Sequence, residues 1–381
     1  MASIFTLSLR LRTTTRTPST LLKMTRSLST TAAPPSGPTT TEPRHFLSIS
    51  DLSQTELAAL VKRAGDAKAM IKSRKQLAIP LKNGLARQTV AMLFNKRSTR
   101  TRISTEGAVV HLGGHPMFLG KNDIQLGVNE STHDTAVVLS SMTSCLVARI
   151  GQHSDILSLS ASSTVPVINA LSGLHHPLQA VTDILTIKEA FPSHFAQPHG
   201  PQGPLKLSWI GDANNVLYDL MTACAKSGIT VSIATPEAYP VDLYMLKVAR
   251  RAAEEFGNGS VVEVCNGGPE EAVKGADVLV TDTWISMGQE SEKALKLKQF
   301  SGYQITHSLA ARGGAKPHWK FMHCLPRKPE EVSDEVFYDN ERSLVWTEAE
   351  NRLYAAIAAL EGFVVMEGKI CPEGVTGKVC E

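Results

Sequence analysis

Phe94-Asn95-Lys96-Arg97-Ser98-Thr99-Arg100-Thr101-Arg102 follows directly on the apolar run Thr89-Val90-Ala91-Met92-Leu93-Phe94. The apolar positions after it, Ile103, Val109, Val110 and Leu112, suit one face of a helix. The pattern predicts a strand over Thr89–Phe94 that turns straight into a helix over Arg100–Leu112. A helix starting near Thr99 leaves its first N–H groups unpaired and aims the positive end of its dipole back at Ser98. An anion satisfies both, and an Arg fork matches phosphate oxygens two at a time. The stretch therefore reads as a phosphate cradle at the carboxyl end of a strand. A solvated basic helix start with Ser98 as N-cap is the plainer alternative.

Around this unit, strands and helices alternate. Strands are expected at Thr89–Phe94, His115–Leu119, Cys145–Ile150 and Pro166–Ala170, with helical segments near Arg100–Leu112, Thr132–Met142 and Ser154–Ser160. Upstream, Ser53 and Glu56 form a capping box ahead of Leu57, Leu60, Val61 and Ala64. A helix over about Leu178 to Ala190 leads into the Pro-, Gly- and His-rich stretch Phe191 to Pro204, read as a linker or insertion. A second series follows, with strands at Leu205–Ile210, Ile229–Ala234, Val261–Val264, Asp277–Asp282 and Lys320–His323, and helices at Asn214–Ser227 and Val241–Phe256. The alternation predicts an α/β fold of two domains, each a mainly parallel sheet flanked by helices. The expected boundaries are 42–190 and 205–347, with 191–204 between them and 348–381 as a terminal helix and tail. That helix, about Glu348 to Glu367, carries an apolar face (Leu353, Ala356, Ile357, Leu360, Val364) suited to returning across the domain junction.

With 381 residues, 42% of them hydrophobic, the chain can bury a large core. No apolar run approaches the roughly 18 residues of a membrane span, so no membrane partner is expected. Residues 1–41 are of a different composition. They hold no Asp or Glu, their cations are Arg10, Arg12, Arg16, Lys23 and Arg26, and Ser and Thr abound. That is a mitochondrial transit peptide's composition, with linker around the processing site. Removing its five cations takes the formal net charge from +3 to −2, leaving no argument for nucleic acid. The six cysteines form no C-x-x-C pair, so neither a zinc site nor a disulfide framework is indicated, and a reducing compartment fits.

In open parallel sheets, ligands bind beyond the carboxyl ends of the strands, and the unusual polar residues collect there. Ser98 follows one strand, Arg149 ends another, Asp212 and Asn215 follow Ile210, Asp282 follows Val280, and His323-Cys324 follow Phe321. His176 and Gln179, three apart in Leu174-His175-His176-Pro177-Leu178-Gln179, stand where a helix begins and suit a carbonyl or amide-like ligand. A capped loop histidine is the alternative. Trp209-Ile210-Gly211-Asp212-Ala213-Asn214-Asn215 lacks the later glycines of a dinucleotide turn, which argues against a nicotinamide cofactor. Asp282, with Ser286 four residues on, offers a carboxylate for an ammonium group or, equally, a helix cap. Cys324 is either a buried inert thiol or a proton-handling group at the mouth of a sheet.

Taken together and in order, Ser98-Thr99-Arg100-Thr101-Arg102, His176-Pro177-Leu178-Gln179, Asp282 with Ser286-Met287-Gly288, and His323-Cys324-Leu325-Pro326-Arg327 resemble the aspartate/ornithine carbamoyltransferase family, over essentially His45 to Met366. Ser286-Met287-Gly288 and His323-Cys324-Leu325-Pro326-Arg327 point to its ornithine branch. The resemblance implies a mitochondrial-matrix enzyme that moves the carbamoyl group of carbamoyl phosphate to the δ-amine of L-ornithine, giving L-citrulline and phosphate. It further implies a homotrimer, no cofactor and no metal, and an active site in the interdomain cleft. By motif match, Ser98, Thr99, Arg100 and Thr101 would hold the phosphate. Arg149 and His176 would meet the carbamoyl oxygen, and Gln179 its amino group, with Cys324, Leu325 and Arg352 lining the same site. Asn215, Asp282, Ser286 and Met287 would bind ornithine, and Cys324 would accept its proton. Gln125, in Asp123-Ile124-Gln125-Leu126-Gly127, matches a loop that reaches the phosphate of a neighbouring subunit. Two readings stand beside this one: a carbamoyltransferase of the same fold for another amine, and a silent regulatory paralogue.

Overall fold

The computed structural model describes residues 42–73, 76–123, 129–196, 204–257, 259–285 and 293–371. The segment 1–41, half of the 191–204 insertion (197–203), and Gln125, Ser286 and Met287 lie outside the described residues.

The chain enters helix α1 (Gln54–Lys72) through the expected capping box, with Glu56 N–H on Ser53 Oγ at 3.2 Å and Ser53 N–H on Glu56 Oε2 at 2.8 Å. After the short α2 (Ile79–Lys82), strand β1 (Thr89–Phe94) runs into α3 (Thr99–His111), then β2 (His115–Gly120), α4 (Thr132–Met142), β3 (Cys145–Arg149), α5 (His153–Ser162), β4 (Val167–Leu171) and α6 (Pro177–Ala190). These four strands form one parallel sheet in the order β2-β1-β3-β4. The strands β1 and β3 are covered on both faces, which is why they read as continuous apolar runs rather than alternating ones.

The insertion opens with α7 (Pro192–Ala196), whose Phe195 packs against the core. The second sheet is also parallel, in the order β7-β6-β5-β8-β9. It is built from β5 (Lys206–Ile210), α8 (Asn215–Lys226), β6 (Thr230–Ala234), α9 (Leu243–Phe256), β7 (Val262–Val264), α10 (Pro269–Val273), β8 (Val278–Val280), α11 (Lys293–Gln299), α12 (His307–Gly313), β9 (Lys320–Met322) and α13 (Asp334–Phe337). Helix α9 shows how local code sets an element. Asp242 caps the N–H groups of Tyr244 and Met245, Met245, Leu246, Ala249, Ala252 and Ala253 face the core, and Gly257 ends the helix at φ 70°. Short helices α10 to α13 have no counterpart in the periodicity reading. Helices of four to seven residues are too short to hold by themselves and form only on the packed surface behind them.

The last helix, α14 (Val345–Leu360), starts beside the second sheet and packs along α1, α3 and α6 of the first. At its end the chain passes into a π-helical turn, Glu361–Val365, instead of continuing as α-helix to Glu367. Contact with α3 is close: a Cβ on Gly107 would meet Leu353 Cδ1 at 3.1 Å. One core runs through both halves, joining Val90 and Met92 of the first sheet to Trp209 and Val231 of the second through α6, α8 and α14. Each fully buried large side chain in it contributes roughly 1.5–3 kcal/mol. Cys145, Cys224, Cys265 and Cys324 are free thiols, whereas Cys371 is disulfide-bonded, a pairing that cysteine spacing did not indicate. Among the described residues no helix is long and apolar enough to cross a membrane.

Candidate active site

The phosphate cradle forms where β1 and β3 end side by side. Their register pairs Phe94 with Arg149, and Asn95 N–H extends it onto Arg149 O at 3.1 Å. Ser98 is extended (φ −161°, ψ 123°), and its Oγ accepts the Thr101 N–H at 3.2 Å as the N-cap of α3. The cap leaves other first-turn N–H groups directed at the cleft. Packing of α14 on α3 brings Arg352 to the same place. Thr101 Oγ1 accepts from Arg352 Nη2 at 3.0 Å and from Arg149 Nη1 at 3.5 Å. Arg100 Nη2 donates to the Leu325 carbonyl oxygen at 2.5 Å.

His176 and Gln179 open α6. The His176 backbone N–H donates to Asp219 Oδ2 at 2.6 Å, and the same carboxylate accepts from Ile49 N–H and pairs with His175 Nδ1. A carboxylate on α8 thus fixes a loop of the first half. Arg352 Nη1 donates to His176 Nε2 at 3.1 Å and to Gln179 Oε1. Because Arg only donates, Nε2 is the acceptor and the ring is neutral. Burial, and then the guanidinium groups of Arg352, Arg149 and Arg100, hold the His176 pKa well below the ordinary value. Burial also brings Arg149 and Arg352 down to about 10, reinforced at Arg149 by the neighbouring guanidinium groups and opposed at Arg352 by the nearby acidic groups. Both remain charged at neutral pH, so this wall of the cleft is a concentrated positive field. Arg149 Nε and His176 Nδ1 are buried donors or acceptors with no hydrogen-bond partner among the described residues.

The opposite wall is anionic. Asp282, just past β8, accepts Asn214 Nδ2 at 2.8 Å and the Cys324 thiol at 3.0 Å. Asn214 also caps α8 through Val216 N–H and Leu217 N–H. Burial and the carboxylates of Asp282 and Glu348 push the Cys324 thiol well above its ordinary pKa, so it stands as a neutral donor to Asp282.

These walls enclose a cavity of about 490 Å³. Of the residues singled out from sequence, it is lined by Ser98, Thr99, Arg100, Thr101, Arg149, His176, Gln179, Asn215, Asp282, Cys324, Leu325 and Arg352. Asn215 lines it while donating to Ser172 O at 2.5 Å, tying the halves together. Two expected strand-end residues are not among the lining residues. Asp212 is paired with buried Lys296 at 2.9 Å, and His323 is fully buried, bonded to Glu331 at 3.2 Å and accepting Leu325 N–H. Their chemistry is spent inside the protein. Lys96 lines the cavity from within the quoted cradle stretch, and Thr283 and Lys328 also line it and were not singled out. Their proximity to the motifs was the only available signal, since an isolated Lys or Thr is indistinguishable from surface.

Two family models cover the chain. Aspartate/ornithine carbamoyltransferase, carbamoyl-P binding domain, matches residues 44–189, and the Asp/Orn binding domain of the same family matches 204–362. The mitochondrial ornithine carbamoyltransferase of Emericella nidulans is 59% identical over 347 residues, 91% of this chain and 95% of that protein. Its Schizosaccharomyces pombe counterpart is 53% identical, over 87% of this chain and 97% of that protein. Among solved structures, a mitochondrial ornithine carbamoyltransferase from Coccidioides immitis superposes with a TM-score of 0.78 at 55% identity, covering 86% of this chain and all of that one. The Pyrococcus furiosus ornithine carbamoyltransferase gives 0.77 at 40% identity, covering 85% of this chain and 98% of that one.

Proposed function

The chain belongs to the aspartate/ornithine carbamoyltransferase family, and from that premise we propose that it carries the carbamoyl group of carbamoyl phosphate to the δ-amine of L-ornithine, releasing L-citrulline and phosphate. One observation carries the reading to the residues: three guanidinium groups converge on a helix N-terminus, facing a carboxylate–thiol pair across one cavity.

In this reading the Ser98 and Thr101 hydroxyls and the first-turn N–H groups of Thr99 and Arg100, together with the guanidinium groups of Arg100 and Arg352, hold the phosphate. Arg149, whose buried Nε lacks a protein partner, and neutral His176 meet the carbamoyl oxygen, where negative charge grows during attack. Donors preorganised at such an oxygen are the largest catalytic term in many enzymes, about 3 kcal/mol each. Gln179 takes the carbamoyl amino group, and Leu325 completes that end of the cavity. Asp282 receives the δ-ammonium of ornithine, with Asn215, Ser286 and Met287 along the rest of the substrate. One ammonium proton passes to the Asp282–Cys324 pair: the thiol hands its own proton along its hydrogen bond to Asp282 Oδ1, and the thiolate so formed, favoured by the adjacent ammonium, takes the proton of the δ-ammonium. The freed amine attacks the carbonyl carbon, the C–N bond forms, the C–O bond to phosphate breaks, and the second proton leaves with the phosphate.

We also read the protein as a homotrimer of the mitochondrial matrix, with residues 1–41 as its transit peptide and Gln125 reaching a neighbour's phosphate. In support, the first half exposes apolar side chains on adjoining elements: Ile103 and Val110 on α3, Met117 on β2, and Val137, Val138 and Met142 on α4. The relatives above are named as mitochondrial. Purified chain without residues 1–41, given carbamoyl phosphate and a panel of amines, should form citrulline from ornithine and little product from the others. A light-scattering mass of three chains should accompany it. Preference for another amine, or no product at all, overturns the assignment.

A further inference from the structure

Gln179 has every polar atom of its carboxamide engaged. Its Nε2 donates to Asp183 Oδ1 at 2.7 Å and to Glu348 Oε1 at 3.0 Å, and its Oε1 accepts from Arg352. Arg352 is donor-only, so the amide oxygen must face it, and the nitrogen must face the two carboxyl groups. The arrangement comes from two matched helix faces. Gln179 and Asp183 are four residues apart on α6, and Glu348 and Arg352 are four apart on α14. All four are buried, and neither carboxyl lines the cavity. Two carboxyl groups packed against each other in an apolar helix interface are costly, and an apolar pair of similar volume would be cheaper. Burial raises both of them, and the charge of Asp183 adds to the rise of Glu348, so the pair retains a proton. Glu348 Oε2 also accepts the His323 N–H at 2.9 Å, which ties the device to the turn that carries Cys324.

A glutamine on a cavity wall can present either end of its amide, and a flip exchanges an acceptor for two donors. We propose that Asp183 and Glu348 are positioning residues that lock the Gln179 carboxamide with its oxygen toward the cleft, so that it accepts an N–H of the transferred group. This rests on the carbamoyl-transfer reading, in which that N–H belongs to the carbamoyl amino group.

The test is a steady-state comparison of the full mature enzyme with Asp183→Ala, Asp183→Asn, Gln179→Ala and the double variant Gln179→Ala/Asp183→Ala. Asp183→Ala should lower kcat/KM for carbamoyl phosphate about tenfold and leave the ornithine KM within about twofold. Asp183→Asn, which keeps an acceptor oxygen, should recover to within about threefold of wild type. In the Gln179→Ala background, Asp183→Ala should change kcat/KM by less than about twofold, because Asp183 acts only through Gln179. Should Asp183→Ala not fold, Asp183→Leu fills the same volume without an acceptor and takes its place. Unchanged carbamoyl phosphate kinetics in Asp183→Ala, or additive losses in the double variant, overturn the positioning role while the transfer reading stands. Wild-type enzyme that forms no citrulline overturns both.

Discussion

Arg100 Nη2 donates to the Leu325 carbonyl oxygen at 2.5 Å, so a side chain at the start of α3 is anchored on a turn that follows the last strand of the other sheet. Leu325 takes a positive φ of 63°, which costs a non-glycine residue about 1–3 kcal/mol. Its N–H on His323 Nδ1 and its carbonyl on Arg100 hold it there. The two halves of the proposed site therefore meet through a direct bond, and the first prediction concerns that bond.

Arg100→Lys keeps the charge but loses the planar fork that can serve Leu325 O and a phosphate oxygen together. We expect kcat/KM for carbamoyl phosphate to fall about 10- to 100-fold, the range for a lost charge-assisted hydrogen bond. Initial-rate kinetics at fixed saturating ornithine measure it, and unchanged values would remove Arg100 from the phosphate cradle.

Cys324→Ala should cut kcat by about 100-fold or more, the usual share of a proton-transfer group, while cooperative unfolding is retained. The deficit should persist at every pH where the fold holds. Normal turnover at any such pH would show that the thiol handles no proton.

Stability should carry a signature of the buried carboxyl pair. Asp183 is pushed from 3.8 up to about 7 by burial, so its protonated form is favoured by folding. A raised acid pKa gives stability that is present in full below the unfolded value and is lost as pH rises through the folded one. Asp183→Asn cannot ionise, so thermal melts between about pH 4 and pH 7 should decline less with pH than those of wild type. Parallel Tm curves for the two proteins would contradict this.

Lys296 reaches Asp212 Oδ2 at 2.9 Å and Trp284 O at 2.8 Å, with its ammonium 4.7 Å from the Tyr239 ring centroid and its side chain 2% exposed. Removing one member of such a pair strands the other charge, at about 3–5 kcal/mol. Lys296→Met should lose stability of that order in urea unfolding, and Lys296→Met combined with Asp212→Leu should regain much of it. A single variant as stable as wild type would mean that the pair is solvated rather than buried.

Most of the architecture was legible because its signals are local. The Ser53–Glu56 capping box, the apolar runs of β1, β3, β5 and β6, and the stripes of α1, α9 and α14 each sit within a few residues of the structure they specify. Short helices α10 to α13 were not, since their stability is borrowed from the surface beneath them. Within the site, order and residue type brought Ser98, His176, Asp282 and Cys324 to notice, but not that Asp212 and His323 would turn away into internal pairs.

By itself, then, the sequence determined two parallel sheets, a cation-rich helix start and a set of groups suited to a phosphate and an ammonium. Only the tertiary structure decided their pairing. Arg352 reaches Thr101, Gln179 meets Asp183 and Glu348, and Cys324 donates to Asp282, all across sequence separations that no periodicity encodes. It also decided their protonation, because a neutral His176, a neutral Cys324 and a proton-sharing carboxyl pair follow from burial and neighbouring charge. Hydrogen bonds and desolvation depend on separations of a fraction of an ångström, and those are fixed only when α14 packs against α3 and α6.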